Sequence, residues 1–150
     1  MNASLEHIKH IYFIGIGGIG MSALARYFKF LGKDVAGYDK TSTKITSALE
    51  DLGIDIHYKD DVELIPKVYL NSEDVLIIYT PAIPKTHSEF IYFQQKGVSI
   101  KKRAEVLGII SNSTYTLAVA GTHGKTTTTA ILGHLLKESC LLYTSDAADD

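Results

Sequence analysis

Gly121, Thr122, His123, Gly124, Lys125, Thr126 and Thr127 stand in one unbroken run, directly after an apolar stretch. Residues of these types at this spacing do phosphate chemistry. Glycines let backbone N–H groups wrap phosphate oxygens, Lys125 supplies a point charge for the β and γ phosphates, and Thr126 offers a hydroxyl to Mg2+. The strict pattern G-x-x-x-x-G-K-[ST] is not met, because Val119 occupies its first glycine and Gly121 makes the loop shorter. The strand–loop–helix setting still reads as a nucleotide loop. His123 contributes its backbone there more than its ring.

A second phosphate-binding turn lies about a hundred positions earlier. Gly15-x-Gly17-x-x-Gly20 follows an apolar run and opens a helical pattern, which is the dinucleotide fingerprint. In that motif Gly15 allows a tight turn, Gly17 lets the backbone approach a pyrophosphate, and Gly20 lets helix pack on strand. Asp39, 24 positions beyond Gly15, ends the next strand pattern, where an acid can hold a ribose hydroxyl. The fingerprint specifies a nucleoside diphosphate without choosing between NAD, FAD and a nucleotide sugar. Two such turns imply two phosphorylated ligands.

The elements that must carry these loops alternate in type. Strands are expected at 11–14, 35–38, 54–57, 75–79, 98–100 and 115–120, and helices at 21–31, 42–52, 88–96, 104–111 and 125–137. Residues 58–73 show no clear period. This alternation predicts an α/β fold with a parallel sheet covered on both faces. The polar segment 111–114 reads as a hinge. It divides a Rossmann-like domain at 1–110 from the start of a P-loop ATP-binding α/β domain at 111–138. The last residues, 139–150, lose the helical stripe and read as a non-native tail.

Bulk composition narrows the partners. The chain is 45% hydrophobic and 21% charged with a net charge of −2, a globular profile without basic blocks, so neither nucleic acid nor membrane insertion is expected. A single cysteine forms no internal disulfide and suits a reducing, cytoplasmic location. The histidines, His7, His10, His57, His87 and His134 among them, show no metal-ligand spacing and read as ordinary surface or core residues. The tyrosines read as packing residues.

The run Gly15-Ile-Gly-Gly-Ile-Gly-Met-Ser-Ala-Leu-Ala25, then Gly37-Tyr-Asp39, Thr80-Pro-Ala-Ile83, Arg103-Ala-Glu105 and Ala120-Gly-Thr-His-Gly-Lys-Thr-Thr127 occur in an order that resembles the Mur ligases of peptidoglycan synthesis, and within them the alanine-adding members. The resemblance covers residues 8–138. It implies a first domain that binds a UDP-sugar rather than NAD, and a second that binds ATP and Mg2+. It further implies that ATP phosphorylates the carboxylate of UDP-N-acetylmuramate and that L-alanine attacks the acyl phosphate. By matching motif, Gly17, Gly18, Ile19 and Gly20 would face the UDP diphosphate, with Asp39, Thr43, Thr80 and Arg103 as further contacts. Residues 121–127 would hold ATP, Lys125 on the transferred phosphate and Thr126 on Mg2+. The family's remaining magnesium ligands, amino-acid site and third domain have no counterpart before residue 138, so the 150-residue chain is expected to be inactive. Other readings are an NAD(P)-dependent dehydrogenase domain, a generic P-loop ATPase, and a module that captures a UDP-sugar without turning it over.

Overall fold

The computed structural model describes residues 5–70 and 73–139; the expected tail lies, apart from Ser139, outside these. The described chain forms two compact units that divide between Thr114 and Tyr115.

In the first unit the apolar runs become strands, the three central ones buried on both faces as a covered parallel sheet demands. They are β1 (His10–Ile14), β2 (Asp34–Tyr38), β3 (Asp55–His57), β4 (Val75–Tyr79) and β5 (Ser99–Lys102). All pair in parallel, in the order β3-β2-β1-β4-β5. The chain builds outward from β1 in one direction and then, from β4, in the other. The switch point of a doubly wound sheet therefore falls between β1 and β4. Ile14 is level with both Tyr38 and Tyr79, so β1, β2 and β4 end together and the segments after them open at one edge.

Side chains alternate across this sheet with period two. Ile11, Phe13, Val35, Leu76 and Ile78 join one core. It is closed by α1 (Ile19–Phe30) through Met21, Leu24, Ala25 and Phe28, by α2 (Lys44–Glu50) through Leu49, and by α4 (Arg103–Ser113) through Val106. Tyr12, Ile14, Ala36, Tyr38, Val75 and Ile77 join the other core. Phe93 of α3 (Ser88–Lys96) closes it with Ile65 and Tyr69. Those last two come from the stretch without a clear period, which forms two short 3-10 turns, Val62–Leu64 and Lys67–Tyr69.

Helix α4 runs two residues beyond its expected end, where hydroxyls turn back onto it: Ser113 Oγ donates to Ile110 O at 2.9 Å, and Thr114 Oγ1 to the same carbonyl at 2.9 Å. The structure corrects one expectation. Residues 115–120 form no strand. A strand is defined by the neighbour that takes its N–H and C=O groups, and among the described residues none pairs with this segment. In the second unit α5 (Lys125–Glu138) does form, but it buries no residue, and Ile131 and Leu135 of its apolar stripe stand exposed.

The tightest backbone approach in the sheet is at Gly37, where a Cβ would lie 2.6 Å from the Phe13 carbonyl oxygen. That oxygen belongs to β1 and cannot rotate away. Gly37→Ala is expected to destabilise the first unit by about 2 kcal/mol, the usual scale of overpacking. Urea unfolding with tyrosine fluorescence would read it, and an unchanged midpoint would contradict the close approach.

A candidate nucleotide cleft at the sheet switch point

The loop after β1 is shaped by hydrogen bonds to the end of β2. Gly15 N–H and Ile16 N–H both donate to the Tyr38 carbonyl, at 2.8 and 2.9 Å. Gly15 takes φ +89°, a left-handed turn that side chains disfavour, and a Cβ there would meet Thr80 Cγ2 at 3.0 Å. Gly17 N–H then donates to Asp39 Oδ2 at 2.7 Å, while the other carboxylate oxygen of Asp39 accepts Thr41 N–H at 3.1 Å. The carboxylate thus ties together the segments after β1 and β2.

This geometry reassigns two glycines. Gly17 is small because a Cβ would lie 2.8 Å from Asp39 Oδ2 and 2.9 Å from Thr46 Cγ2, so it makes room for the carboxylate tie. Gly20 leaves room for Arg103 rather than for a strand: a Cβ there would sit 2.6 Å from Arg103 Nη1. Gly18 is the N-cap of α1 and has no side-chain cap. The first N–H groups of α1, from Ile19 onward, have no intrahelical acceptor and carry the positive end of the helix dipole.

A cleft of about 460 Å³ opens over this helix start. It brings together Gly15, Gly18, Ile19, Gly20, Asp39, Thr80 and Arg103 of the sequence-derived set. It adds Met21, Lys40, Ala82 and Ile83. Ala82 and Ile83 lay in a motif already visible, and Lys40 was signalled only by adjoining Asp39. Lys40 and Arg103 give the cleft two cations beside free N–H groups, a setting for a diphosphate. Thr43 does not line it. Its hydroxyl instead caps α2, accepting Thr46 N–H at 3.3 Å, while Thr46 Oγ1 accepts Thr43 N–H at 2.8 Å.

A buried polar group lies behind this edge, and sequence spacing gave no sign of it. Tyr12 and Glu89 are both 0% exposed, and the Tyr12 hydroxyl lies 2.8 Å from Glu89 Oε2 and 2.7 Å from His57 Nε2. Burial pushes the Glu89 carboxyl up to about 8, with the Asp60 charge adding and the Tyr12 hydrogen bond opposing. Burial also lowers His57 and His87, although the Lys59 carbonyl opposes it at His57 and Asp60 at His87. Asp60, His87 and Glu89 offer ligand atoms within 4.8 Å of one another. Their arrangement serves the helix rather than a cation: Asp60 accepts Ser88 N–H at 3.0 Å and also the Ser88 hydroxyl, at the N-terminus of α3, whose dipole opposes positive charge.

In the second unit Gly124 takes φ +74° as N-cap of α5, and Thr128 N–H donates to its carbonyl at 2.9 Å. Lys125 Nζ folds over the loop and donates to Gly121 O at 2.7 Å. The loop therefore holds its ammonium group at its own mouth, beside the free N–H groups of the first turn of α5, and this donor set fits an anionic phosphate chain.

Residues 10–115 match the Mur ligase family, catalytic domain. The chain belongs to the Mur ligase family. It is 62% identical over 136 residues to the UDP-N-acetylmuramate--L-alanine ligase of Christiangramia forsetii, and 62% over 136 residues to that of Flavobacterium psychrophilum. These alignments cover 90% and 91% of the chain and 30% of each relative. Among solved structures, the UDP-N-acetylmuramate-alanine ligase of Thermotoga maritima superposes with a TM-score of 0.77 at 34% identity, over 87% of this chain and 30% of that one. The UDP-N-acetylmuramate:L-alanyl-gamma-D-glutamyl-meso-diaminopimelate ligase of Neisseria meningitides gives 0.76 at 28% identity, over 88% of this chain and 40% of that one. The chain thus spans about a third of the length of the Mur ligases it matches, and the family match ends before the second phosphate loop.

Asp39→Ala would leave Gly17 N–H and Thr41 N–H without their acceptor. The expected cost is roughly 1–3 kcal/mol. Asp39→Asn keeps one acceptor oxygen and should lose less. Thermal melts of both variants would test this, and equal melting temperatures for Asp39→Ala and the parent would remove the tie from the argument.

Proposed function

We propose that the whole protein is an ATP-dependent ligase that joins L-alanine to the carboxylate of UDP-N-acetylmuramate. In this reading the present chain supplies the UDP-sugar domain and the first phosphate loop of the ATP domain. The observation that carries it is the cleft at the β1/β4 switch point, with Arg103 and Lys40 beside an uncapped helix start, in a chain 62% identical to two such ligases. Both Mur ligase structures above are of enzymes named for UDP-N-acetylmuramate, and the identity is higher to the alanine-adding one.

The residues divide the work. The N–H groups of Ile19 and Gly20 and the Arg103 guanidinium bind the UDP diphosphate, and Thr80 closes the far side of the loop. Asp39 positions the loop through Gly17 rather than holding a ribose, which weighs against an NAD(P)-dehydrogenase domain. In the second loop, Gly121 through Thr127 would hold ATP, Lys125 facing the phosphate to be transferred and Thr126 holding Mg2+. ATP, when bound with Mg2+, would supply a phosphoryl group to the carboxylate oxygen and leave as ADP, so that an amine could then displace phosphate. Lys125 stabilises the charge that develops in that transfer. The nucleotide substrates make the cytoplasm the proposed location. No described helix is long and apolar enough to cross a membrane.

Calorimetric titration of the chain with UDP-N-acetylmuramate, with NAD as competitor, tests the reading. Saturable binding of the UDP-sugar and none of NAD is expected. Arg103→Ala should weaken that binding by roughly tenfold or more, the scale of a hydrogen bond to a charged group. NAD binding, or full affinity without Arg103, would overturn the assignment.

A further inference from the structure

The buried group behind the cleft obeys a strict hydrogen count. His57 Nδ1 lies 2.9 Å from the Lys59 carbonyl oxygen, which can only accept, so Nδ1 carries a hydrogen. Tyr12 has one hydrogen and two close partners, His57 Nε2 at 2.7 Å and Glu89 Oε2 at 2.8 Å. Two arrangements satisfy these three close contacts, while Glu89 Oε1 lies farther off, 3.4 Å from His57 Nε2. In one, a neutral Glu89 donates to Tyr12 and Tyr12 donates to a neutral His57. In the other, an imidazolium His57 donates to Tyr12 and Tyr12 donates to an ionised Glu89. Both hold the same number of protons and differ only by a shift along the chain of three groups.

Removing one proton breaks the set. Ionised Glu89 and neutral His57 then both ask for the single hydrogen of Tyr12, and one contact opens. Moving the His57 hydrogen to Nε2 restores that contact only by giving up the one to Lys59. The consequence reaches the cleft through the backbone, because the His57 carbonyl accepts Asp39 N–H at 3.1 Å and the Asp39 carboxylate holds Gly17.

We infer that Glu89 and Tyr12 are positioning residues for the diphosphate-binding loop: their shared proton fixes His57, His57 fixes Asp39, and Asp39 fixes Gly17. This rests on the UDP-sugar reading of the cleft. The groups facing the cluster are Tyr12 from β1, Tyr38 from β2, Asp55 and His57 from β3, Asp60 and Asp61 from the segment that follows, Tyr69 from the second 3-10 turn, and His87 at the N-cap of α3. Burial raises the three tyrosines above their usual range and lowers both histidines. Partial burial works against Asp60, but the Ser88 hydrogen bonds prevail and hold it low. Glu89 is the carboxyl that burial raises, to about 8.

The sign follows from which state holds the proton. A Glu89 carboxyl raised to about 8 keeps its proton in the folded chain while the unfolded chain loses it near 4.5. The Glu89 contribution to stability is therefore full below about 4.5, falls as pH rises to about 8 and is level above that. Glu89→Gln copies the protonated acid, donating to Tyr12, and does not titrate. Its stability advantage over the wild type should widen from pH 5 to pH 8 and then stay constant.

The test is calorimetric titration with UDP-N-acetylmuramate at pH 7 and pH 9 of the wild-type chain, Glu89→Gln and Tyr12→Phe. If only the protonated cluster is competent, wild-type affinity should fall about tenfold by pH 9 relative to Glu89→Gln, because the competent fraction falls by that factor. The comparison cancels any ionisation of the ligand itself. Tyr12→Phe, which removes the hydroxyl shared by Glu89 and His57, should bind more weakly at both values and lose the pH dependence. Equal pH slopes in wild type and Glu89→Gln would overturn the inference with the cleft assignment intact. No binding by any of the three at pH 7 would instead remove the UDP-sugar reading and the positioning role with it. A flat stability gap between pH 5 and 8 would separately refute the shared proton.

Discussion

The hydrogen bond from Gly17 N–H to the Asp39 carboxylate organises everything at the working edge of the first unit. A parallel sheet by itself only brings the ends of β1, β2 and β4 level. It does not say how the segment after β1 should run. The carboxylate decides this by joining that segment to the one after β2, and Gly17 has to be glycine for the carboxylate to come so close. With Gly17 held down, α1 starts at Ile19 without a side-chain cap, and its first N–H groups remain for a ligand. An uncapped helix start is a small liability in the free protein. It leaves donors free at the cleft because no side chain caps it.

Much of this was legible in the sequence, for identifiable reasons. Short β-branched runs buried on both faces announce strands of a covered parallel sheet, and all five strands of the first unit formed near their expected places. The glycine spacing announced the loop. What the spacing hid was the reason for each glycine. A fingerprint assigns Gly17 to the ligand and Gly20 to helix–strand packing, whereas here their neighbours are the Asp39 carboxylate and the Arg103 guanidinium. Those contacts join residues 22 and 83 positions apart in the chain, and no local pattern encodes them. Thr43 shows the opposite case. Its role is wholly local, a capping box with Thr46, and a polar residue three before another hydroxyl carries that reading without any ligand.

Residues 115–120 show the limit of periodicity from another side. Tyr115, Leu117 and Val119 alternate as a strand would, yet strand structure belongs to a pair and not to a sequence. The helix that follows needs no partner for its backbone and so forms, although its apolar stripe is uncovered among the described residues. The second phosphate loop is formed on the same basis. Its shape comes from two positive-φ glycines and from Lys125 turning back onto Gly121, all within seven residues.

The buried Glu89 raises a different question, because a fully enclosed carboxyl is among the costlier things a core can hold. A leucine at that place would be easier to bury. What a leucine cannot do is meet a tyrosine hydroxyl that itself sits in the middle of a central strand, at 0% exposure, with one hydrogen and two partners. Once Tyr12 faces that core, something must complete its hydrogen bonding, and His57 at the end of β3 supplies only half. Glu89 supplies the other half, and in doing so connects α3 to the strand end that carries Asp39. The polar cluster is thus better understood as a brace across the second face of the sheet than as an isolated defect in it. Its rigidity depends on a proton, while the apolar packing on the first face, where Leu49 and Phe28 share a core with Phe13 and Val35, depends on none. The cleft edge is therefore held on one side by contacts indifferent to pH and on the other by contacts that respond to it.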